Sequence, residues 1–289
     1  MNEVSLQHVT IVGVGLLGGS AGLAIKQHWP GVRVAGVGRR QSSLDEALAC
    51  GAIDEAHLAP QEPAARSDLV LLCTPVRAFG GMLESIKPVL KDSAWVTDVG
   101  STKAEVVRMA REVLGEDGRF VGSHPMAGSE KKGPSFARAD LYAGALCVLT
   151  PCEYTPPEVT AAAETFWETL GMRCLQLDPE EHDRAVARVS HLPHVLATLL
   201  TLLPRESELA VSATGFQSMT RLAEGDPEMW RDILLTNVHP VCDALNDLSA
   251  ALGTLRELIH SGNAEAIESL LERGQRRKRK FAEDGSAAE

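Results

Sequence analysis

The sequence has no CxxC pair and no cysteine–histidine grouping at zinc-finger spacing; Cys50, Cys73, Cys147, Cys152, Cys174 and Cys242 are scattered along it. That argues against a metal ribbon or a disulfide framework, and reads as reduced packing residues of a cytosolic protein. Positive charge is scarce too, with 28 Lys and Arg against 39 Asp and Glu and a formal net charge of −11. Both sides of Asp178 are acidic, which counts against a general nucleic-acid or anionic-membrane surface. An anionic ligand must then be caught by a few placed cations. No long run of large apolar residues is present either. The most apolar stretch, 9–25, holds five glycines in 17 residues and lacks a basic leader, so it reads as strand, tight turn and helix rather than as a membrane or signal segment. At 44% apolar and 23% charged over 289 residues, the composition is globular, large enough for one large or two medium domains, and excludes disorder, collagen and coiled coil.

What is there falls into two halves. Short strand patterns at 8–13, 32–38, 67–75, 94–98, 120–123, 145–149 and 172–177 alternate with helical patterns at 18–28, 42–50, 78–86, 102–114 and 157–170. Ser42 is expected to cap the second helix and Gly51 to end it. The uninterrupted apolar run in 67–75 marks a strand buried on both faces, and the alternation implies βαβ units with a mostly parallel sheet. After Asp178-Pro179 the strand signals stop, and helices are expected at 180–190, 193–203, 206–219, 227–252 and 264–280. The expected organisation is an α/β dinucleotide-binding domain over 1–178, an all-helical domain over 179–281, and a disordered tail over 282–289. The basic run 275–280 reads as a solvated helix end.

Gly13-Val14-Gly15-Leu16-Leu17-Gly18 is a GxGxxG pattern directly between a strand and a helix. Gly13 permits the tight turn, Gly15 lets backbone approach a pyrophosphate, and Gly18 lets helix and strand pack closely, with the helix N-terminus facing the phosphates. Leu16 and Leu17 within the pattern, with Thr74 and Pro75 closing the 67–75 strand, complete the candidate cofactor contacts there. The second strand ends Gly38-Arg39-Arg40, without the carboxylate that normally holds the ribose hydroxyl of NAD. Two guanidiniums suit a 2′-phosphate, which favours NADP and leaves NAD open; stacking on adenine, or plain solvent exposure, is the other reading of the arginines.

Two further segments fall where strands give way to helices or loops, the edge at which such sheets bind ligands: 98–103 (DVGSTK) and 122–130 (GSHPMAGSE). His124 sits at a strand end suited to a catalytic group. In the helical half, 190–194 (SHLPH) places His191 and His194 three apart, on one face if the helix runs through Pro193. A metal pair there has no third ligand, and no metal is expected. Segments 215–221 (GFQSMTR) and 230–232 (WRD) follow.

These segments, in this order and over nearly the whole chain, resemble the prephenate/arogenate (cyclohexadienyl) dehydrogenase family of tyrosine biosynthesis. The resemblance implies a Rossmann domain followed by an all-α dimerisation domain, an intertwined homodimer, and NAD(P)-dependent oxidative decarboxylation. It implies that His124 accepts the hydrogen bond of the substrate's ring hydroxyl and that Ser101 orients that hydroxyl. It further implies that Arg221 holds a substrate carboxylate, that His194 faces the substrate, and that Glu130 stands at the cleft entrance. The chain departs from NAD-using members at Gly38. The chemistry suits these residue types on its own terms: an alcohol gives up its proton only as hydride departs, and a neutral imidazole can take it near physiological pH. Two rival readings are a β-hydroxyacid dehydrogenase and a non-catalytic NADP-responsive regulator. The first wants a lysine in the helical half, where none occurs before Lys278; the second has no use for His124, Ser101, His194 and Arg221 together. The choice between prephenate and arogenate stays open, as does the second cation, for which Arg231, Lys131 and Lys132 are candidates.

Overall fold

The computed structural model describes residues 5–116, 118–129 and 131–286. Their contacts divide the chain into two compact units, Met1–Val238 and His239–Glu289.

The first unit is built on an eight-stranded sheet: β1 (His8–Val12), β2 (Arg33–Val37), β3 (Glu55–His57), β4 (Leu69–Leu72), β5 (Trp95–Asp98), β6 (Phe120–Pro125), β7 (Leu146–Thr150) and β8 (Arg173–Gln176). Its order is β3-β2-β1-β4-β5-β6-β7-β8. Every pairing is parallel except β6 with β7. The order reverses between β1 and β4, so their carboxyl ends open the crevice where sheets of this kind take ligands. Helices α1 (Leu16–His28), α2 (Gln41–Ala49), α3 (Gln61–Ala64), α4 (Phe79–Ile86), α5 (Ala104–Leu114) and α6 (Pro157–Thr169) connect the strands.

The apolar run in 67–75, read as a strand buried on both faces, is that, and the neighbouring β1 and β5 are buried in the same way. Val9, Ile11, Leu69 and Leu71 face α1, α2 and α6 on one side, while Val12, Val70, Leu72 and Val96 face α4 and α5 on the other. Ser42 does not cap α2: the helix starts one residue earlier, with Arg40 at the cap position and no side-chain cap bond. The short β3 and α3 lie in a segment whose polar residues gave no periodic signal.

The helical part begins with α7 (Pro179–Val186), capped by Asp178, whose carboxylate accepts from the amides of Glu180 and Glu181. The helix does not stop before Pro193 as the sequence suggests. A π-helical turn, Ala187–His191, carries it directly into α8 (Leu192–Leu202). Proline lacks an N–H and crowds the carbonyl four residues back, and the wider π turn relieves both conflicts. This continuous segment, Pro179–Leu202, is long and apolar enough to span a membrane by length and composition. Yet His182, Asp183, His191 and His194 are buried along it.

The expected single helix over 206–219 is two short ones, α9 (Glu206–Leu209) and α10 (Thr214–Thr220). The expected helix over 227–252 is interrupted at Asn237, which separates α11 (Pro227–Thr236) from α12 (Val238–His260). Asn237 leaves helical geometry (φ −132°, ψ 39°), and its buried side chain donates to the Asp183 carbonyl at 2.9 Å and to His191 Nδ1 at 3.1 Å. The second unit contains the remainder of α12 together with α13 (Ala264–Ser286). Residues 282–286 of the expected tail continue α13, and 287–289 lie outside the described residues.

One buried ion pair fastens the carboxyl edge of the sheet. Lys103 Nζ meets Asp98 Oδ2 with both side chains fully buried, and also donates to the Ser123 carbonyl at 2.9 Å. Asp98 accepts in addition from the amides of Ser123 (3.0 Å) and Gly100 (2.7 Å). Burial pushes the Asp98 carboxyl above its usual range, against the pull of Lys103 and the two amides. Lys103→Met removes the cation and strands the carboxylate, so unfolding in urea should show a loss of about 3–5 kcal/mol. A loss near zero would show that Asp98 is held in its neutral form.

Candidate active site

The glycine-rich turn has the sterics its pattern predicts. Gly13 adopts φ +103°, and a Cβ there would lie 2.6 Å from the Cys73 carbonyl oxygen. A Cβ on Gly18 would lie 2.0 Å from the Gly13 carbonyl oxygen, whereas Gly15 faces open space. Helix α1 starts with no side-chain cap and no acidic residue in its first turn, so its free N–H groups and positive dipole end are available to an anion. Leu16 is half-buried, while Leu17 packs its side chain against the core and accepts the Tyr142 hydroxyl on its carbonyl at 2.8 Å. Leu17 can therefore offer a ligand backbone only.

Beside Gly13, the Thr74 hydroxyl is buried with no hydrogen-bond partner. Such orphans are rare in native interiors and call for a missing partner. Pro75 follows it, exposed. At the end of β2, Gly38 packs on Leu44, and Arg39 and Arg40 are exposed with no ion pair among the described residues. A bare helix end, an open Gly15, an orphaned hydroxyl and free guanidiniums fit a dinucleotide.

The second half of the site lies at the carboxyl ends of β5 and β6, which pair directly. Ser101, half-buried, follows β5; His124 is in β6 and 9% exposed. An aromatic cluster supports the strand behind it, with the Trp167 indole donating to Ser123 Oγ at 3.1 Å and that hydroxyl donating to the Asp98 carbonyl at 2.5 Å. His124 Nδ1 lies 2.8 Å from His182 Nε2, and His182 Nδ1 lies 2.8 Å from Asp183 Oδ1. The Asp183 carboxylate also accepts the amides of Lys103 (2.7 Å) and Ala104 (2.9 Å), at the start of α5. Burial, reinforced by His182, Lys103 and His191, holds the His124 imidazole well below its ordinary pKa, so it is neutral.

His194 and its neighbours form a separate wall. The Trp230 ring stacks on His194 with centroids 3.5 Å apart and planes 10° apart, and meets His191 edge-on at 6.0 Å. A Cβ at Gly225 would strike both rings, at 2.4 Å from Trp230 Nε1 and 2.7 Å from His194 Cε1. Burial lowers the pKa of His194, and that of His191 to about 4. Arg221 opens a 3₁₀ turn, Arg221–Glu224, that packs against α8; it is exposed and has no ion pair among the described residues.

The candidate second cations are engaged elsewhere: Arg231 with Asp232 at 2.8 Å, Lys132 with Asp226, and Lys131 over the Phe136 ring at 5.3 Å. Glu130 lies outside the described residues. No cluster of three or more metal-ligating side chains occurs among the described residues. Sequence reading missed His182, Asp183, the Lys103–Asp98 pair and the role of Trp230. The one signal for the first two was a His-Asp pair in register with apolar Val186 on a single helix face.

An anion-binding turn at a switch point, with a neutral histidine at the same sheet edge, defines a dinucleotide-dependent oxidoreductase. The comparisons give its family. Residues 21–176 match the prephenate dehydrogenase nucleotide-binding domain and residues 178–273 the prephenate dehydrogenase dimerization domain. The chain is 34% identical to a cyclohexadienyl dehydrogenase of Zymomonas mobilis over 90% of its own length and 91% of that protein's. It superposes with a TM-score of 0.90 and 32% identity on prephenate dehydrogenase from Aquifex aeolicus, solved with hydroxyphenyl propionate and NAD+, covering 97% of this chain and 100% of that one. It superposes with a TM-score of 0.83 and 29% identity on Synechocystis arogenate dehydrogenase, covering 95% and 100%. The chain belongs to the prephenate dehydrogenase family.

A base must be neutral to take a proton, and burial lowers the His124 pKa, so if His124 is the base, activity should persist below the ordinary histidine range. The acid limb of the kcat profile is expected at an apparent pKa under the reference value of about 6.5. A limb at or above that value would mean that another group titrates.

Proposed function

We propose that this enzyme carries out the NAD(P)-dependent oxidative decarboxylation of prephenate to 4-hydroxyphenylpyruvate, of arogenate to tyrosine, or of both. The observation that carries this reading is the neutral His124 at the carboxyl end of β6, on the same carboxyl edge of the sheet as the bare glycine turn and the orphaned Thr74 hydroxyl. The fingerprint glycines, the α1 amides and Thr74 hold the dinucleotide, which supplies the hydride acceptor. Arg39 and Arg40 favour NADP, since two unpaired guanidiniums suit a 2′-phosphate and no carboxylate repels it; NAD remains the alternative.

The substrate is a cyclohexadienol with a hydroxyl at one ring end and a carboxylate at the other. Ser101 orients the hydroxyl, and His124 takes its proton as hydride leaves the carbon that bears it. The electron pair of the C–CO2 bond then moves through the ring to the former hydroxyl oxygen as CO2 departs, that oxygen takes its proton back from His124, and aromatisation drives the step. Arg221 holds a carboxylate, for which a planar two-donor guanidinium is better suited than an ammonium. His194, fixed by the Trp230 stack, faces the ring. No metal takes part. Segment 1–178 carries the cofactor, and 179–281 contributes to the substrate side and forms a homodimer. Exposed apolar residues such as Leu199, Leu202, Leu203, Leu252, Ile259 and Leu271 support that assembly. A cytoplasmic location, with no nucleic-acid or membrane partner, completes the proposal.

A two-by-two comparison of kcat/KM, prephenate or arogenate with NAD or NADP, tests the reading. NADP is expected to win with either substrate, and no turnover in any of the four combinations would overturn the assignment. In the best combination His124→Asn should lower kcat by about 10²–10⁴-fold, and near-normal turnover would remove His124 from the mechanism. Arg221→Ala is expected to raise KM by roughly 10–100-fold, the range for a lost charge-assisted contact. An unchanged KM would show the carboxylate held elsewhere.

A further inference from the structure

With one proton on each imidazole, the hydrogen bonds behind His124 leave one consistent assignment. The Asp183 carboxylate can only accept, and three N–H groups converge on it: the amides of Lys103 and Ala104, and His182 Nδ1. His182 therefore carries its proton on Nδ1 and presents a bare Nε2. His124 Nδ1, 2.8 Å away, must then be the donor to it. That leaves the lone pair of His124 on Nε2, an atom with no hydrogen bond among the described residues.

We propose that His182 and Asp183 are positioning residues that fix His124 in this tautomer and steady the positive charge it gains during turnover. The inference rests on His124 being the base. When the substrate O–H bond breaks and the Nε2–H bond forms, His124 Nδ1 keeps its proton and its donation to His182. No ring has to turn and no partner has to be exchanged. The new charge sits one imidazole away from the Asp183 carboxylate, whose own position is fixed by two backbone amides. The rings meet at 70°, with centroids 5.1 Å apart, so the contact is an in-plane hydrogen bond rather than a stack. His182 is wholly buried and Asp183 2% exposed, which keeps water from supplying the competing tautomer. The other titratable groups facing His124 are Lys103, paired with Asp98 beside α5, and His191 in the π turn. Neither bonds to its ring.

The test compares His182→Leu with His182→Gln in the full-length enzyme. Leucine removes the acceptor; glutamine can place an amide oxygen where Nε2 was and keep His124 Nδ1 as donor. His182→Leu should lower kcat by about 10²–10⁴-fold with KM changed by less than about threefold, and His182→Gln should recover to within about tenfold of the parent. The acid limb of the kcat profile should move down in pH in His182→Leu, since protonated His124 loses the acceptor opposite Nδ1, and should stay closer to the parent in His182→Gln. Equal loss in both variants, or a change in thermal midpoint and KM without kcat, would reduce His182 to a packing residue. An independent measurement needs no variant to fold: ¹⁵N-histidine NMR of the parent should show His124 protonated on Nδ1 and bare on Nε2. The opposite tautomer overturns the proposal. If His124→Asn is inactive while His182→Leu is not, only the positioning role fails. If His124→Asn turns over normally, the base assignment itself fails.

Discussion

The Asp183 carboxylate joins what would otherwise be independent parts. It accepts two backbone amides at the start of α5 and the imidazole of His182, so helix α7 is docked onto the loop that follows β5. Asn237 fastens the same residue from its other side through the Asp183 carbonyl, and Thr102 adds a hydroxyl pair with Thr236 at 2.9 Å. A buried carboxylate without such partners would be costly. With four donors converging on the residue, this one sets where the first helix after the sheet must lie, and with it where His191 and His194 fall.

Just below that joint, the Lys103–Asp98 pair performs a similar service within the sheet. Its contacts run to β5, β6 and the first residues before α5, which places the segment holding Ser101 and the strand holding His124 in fixed relation. A pair of this kind contributes little to net stability against an apolar replacement, and its value lies in specifying one arrangement. The aromatic cluster of Trp95, Phe166, Trp167 and Tyr142 backs the same strands. The cofactor crevice relies on something simpler: glycines at positions where a Cβ would meet backbone oxygen, and a helix end left without a cap.

Much of this was legible in the sequence. The parallel α/β fold, the doubly buried central strands, the fingerprint and the place of His124 at a strand end all follow from local patterns. The helical part was less legible. Pro193 suggested a break where a π turn carries the helix onward, and the pattern over 227–252 concealed the departure at Asn237. Both are cases in which contacts from distant segments outweigh local preference. The second cation for the substrate was offered three candidates by spacing, and all three are occupied by nearby partners.

The sequence by itself determined the family, the cofactor-binding turn and the residue types the reaction needs, because glycine sterics, strand burial and acid–base chemistry are properties of short segments. Only the tertiary structure decided which neighbours act on those residues. His182 and Asp183 are separated from His124 by more than fifty positions, and no periodicity announces a hydrogen bond across that distance. The tautomer of an imidazole is set by the atom opposite its other nitrogen, and that atom is known only once the chain has folded.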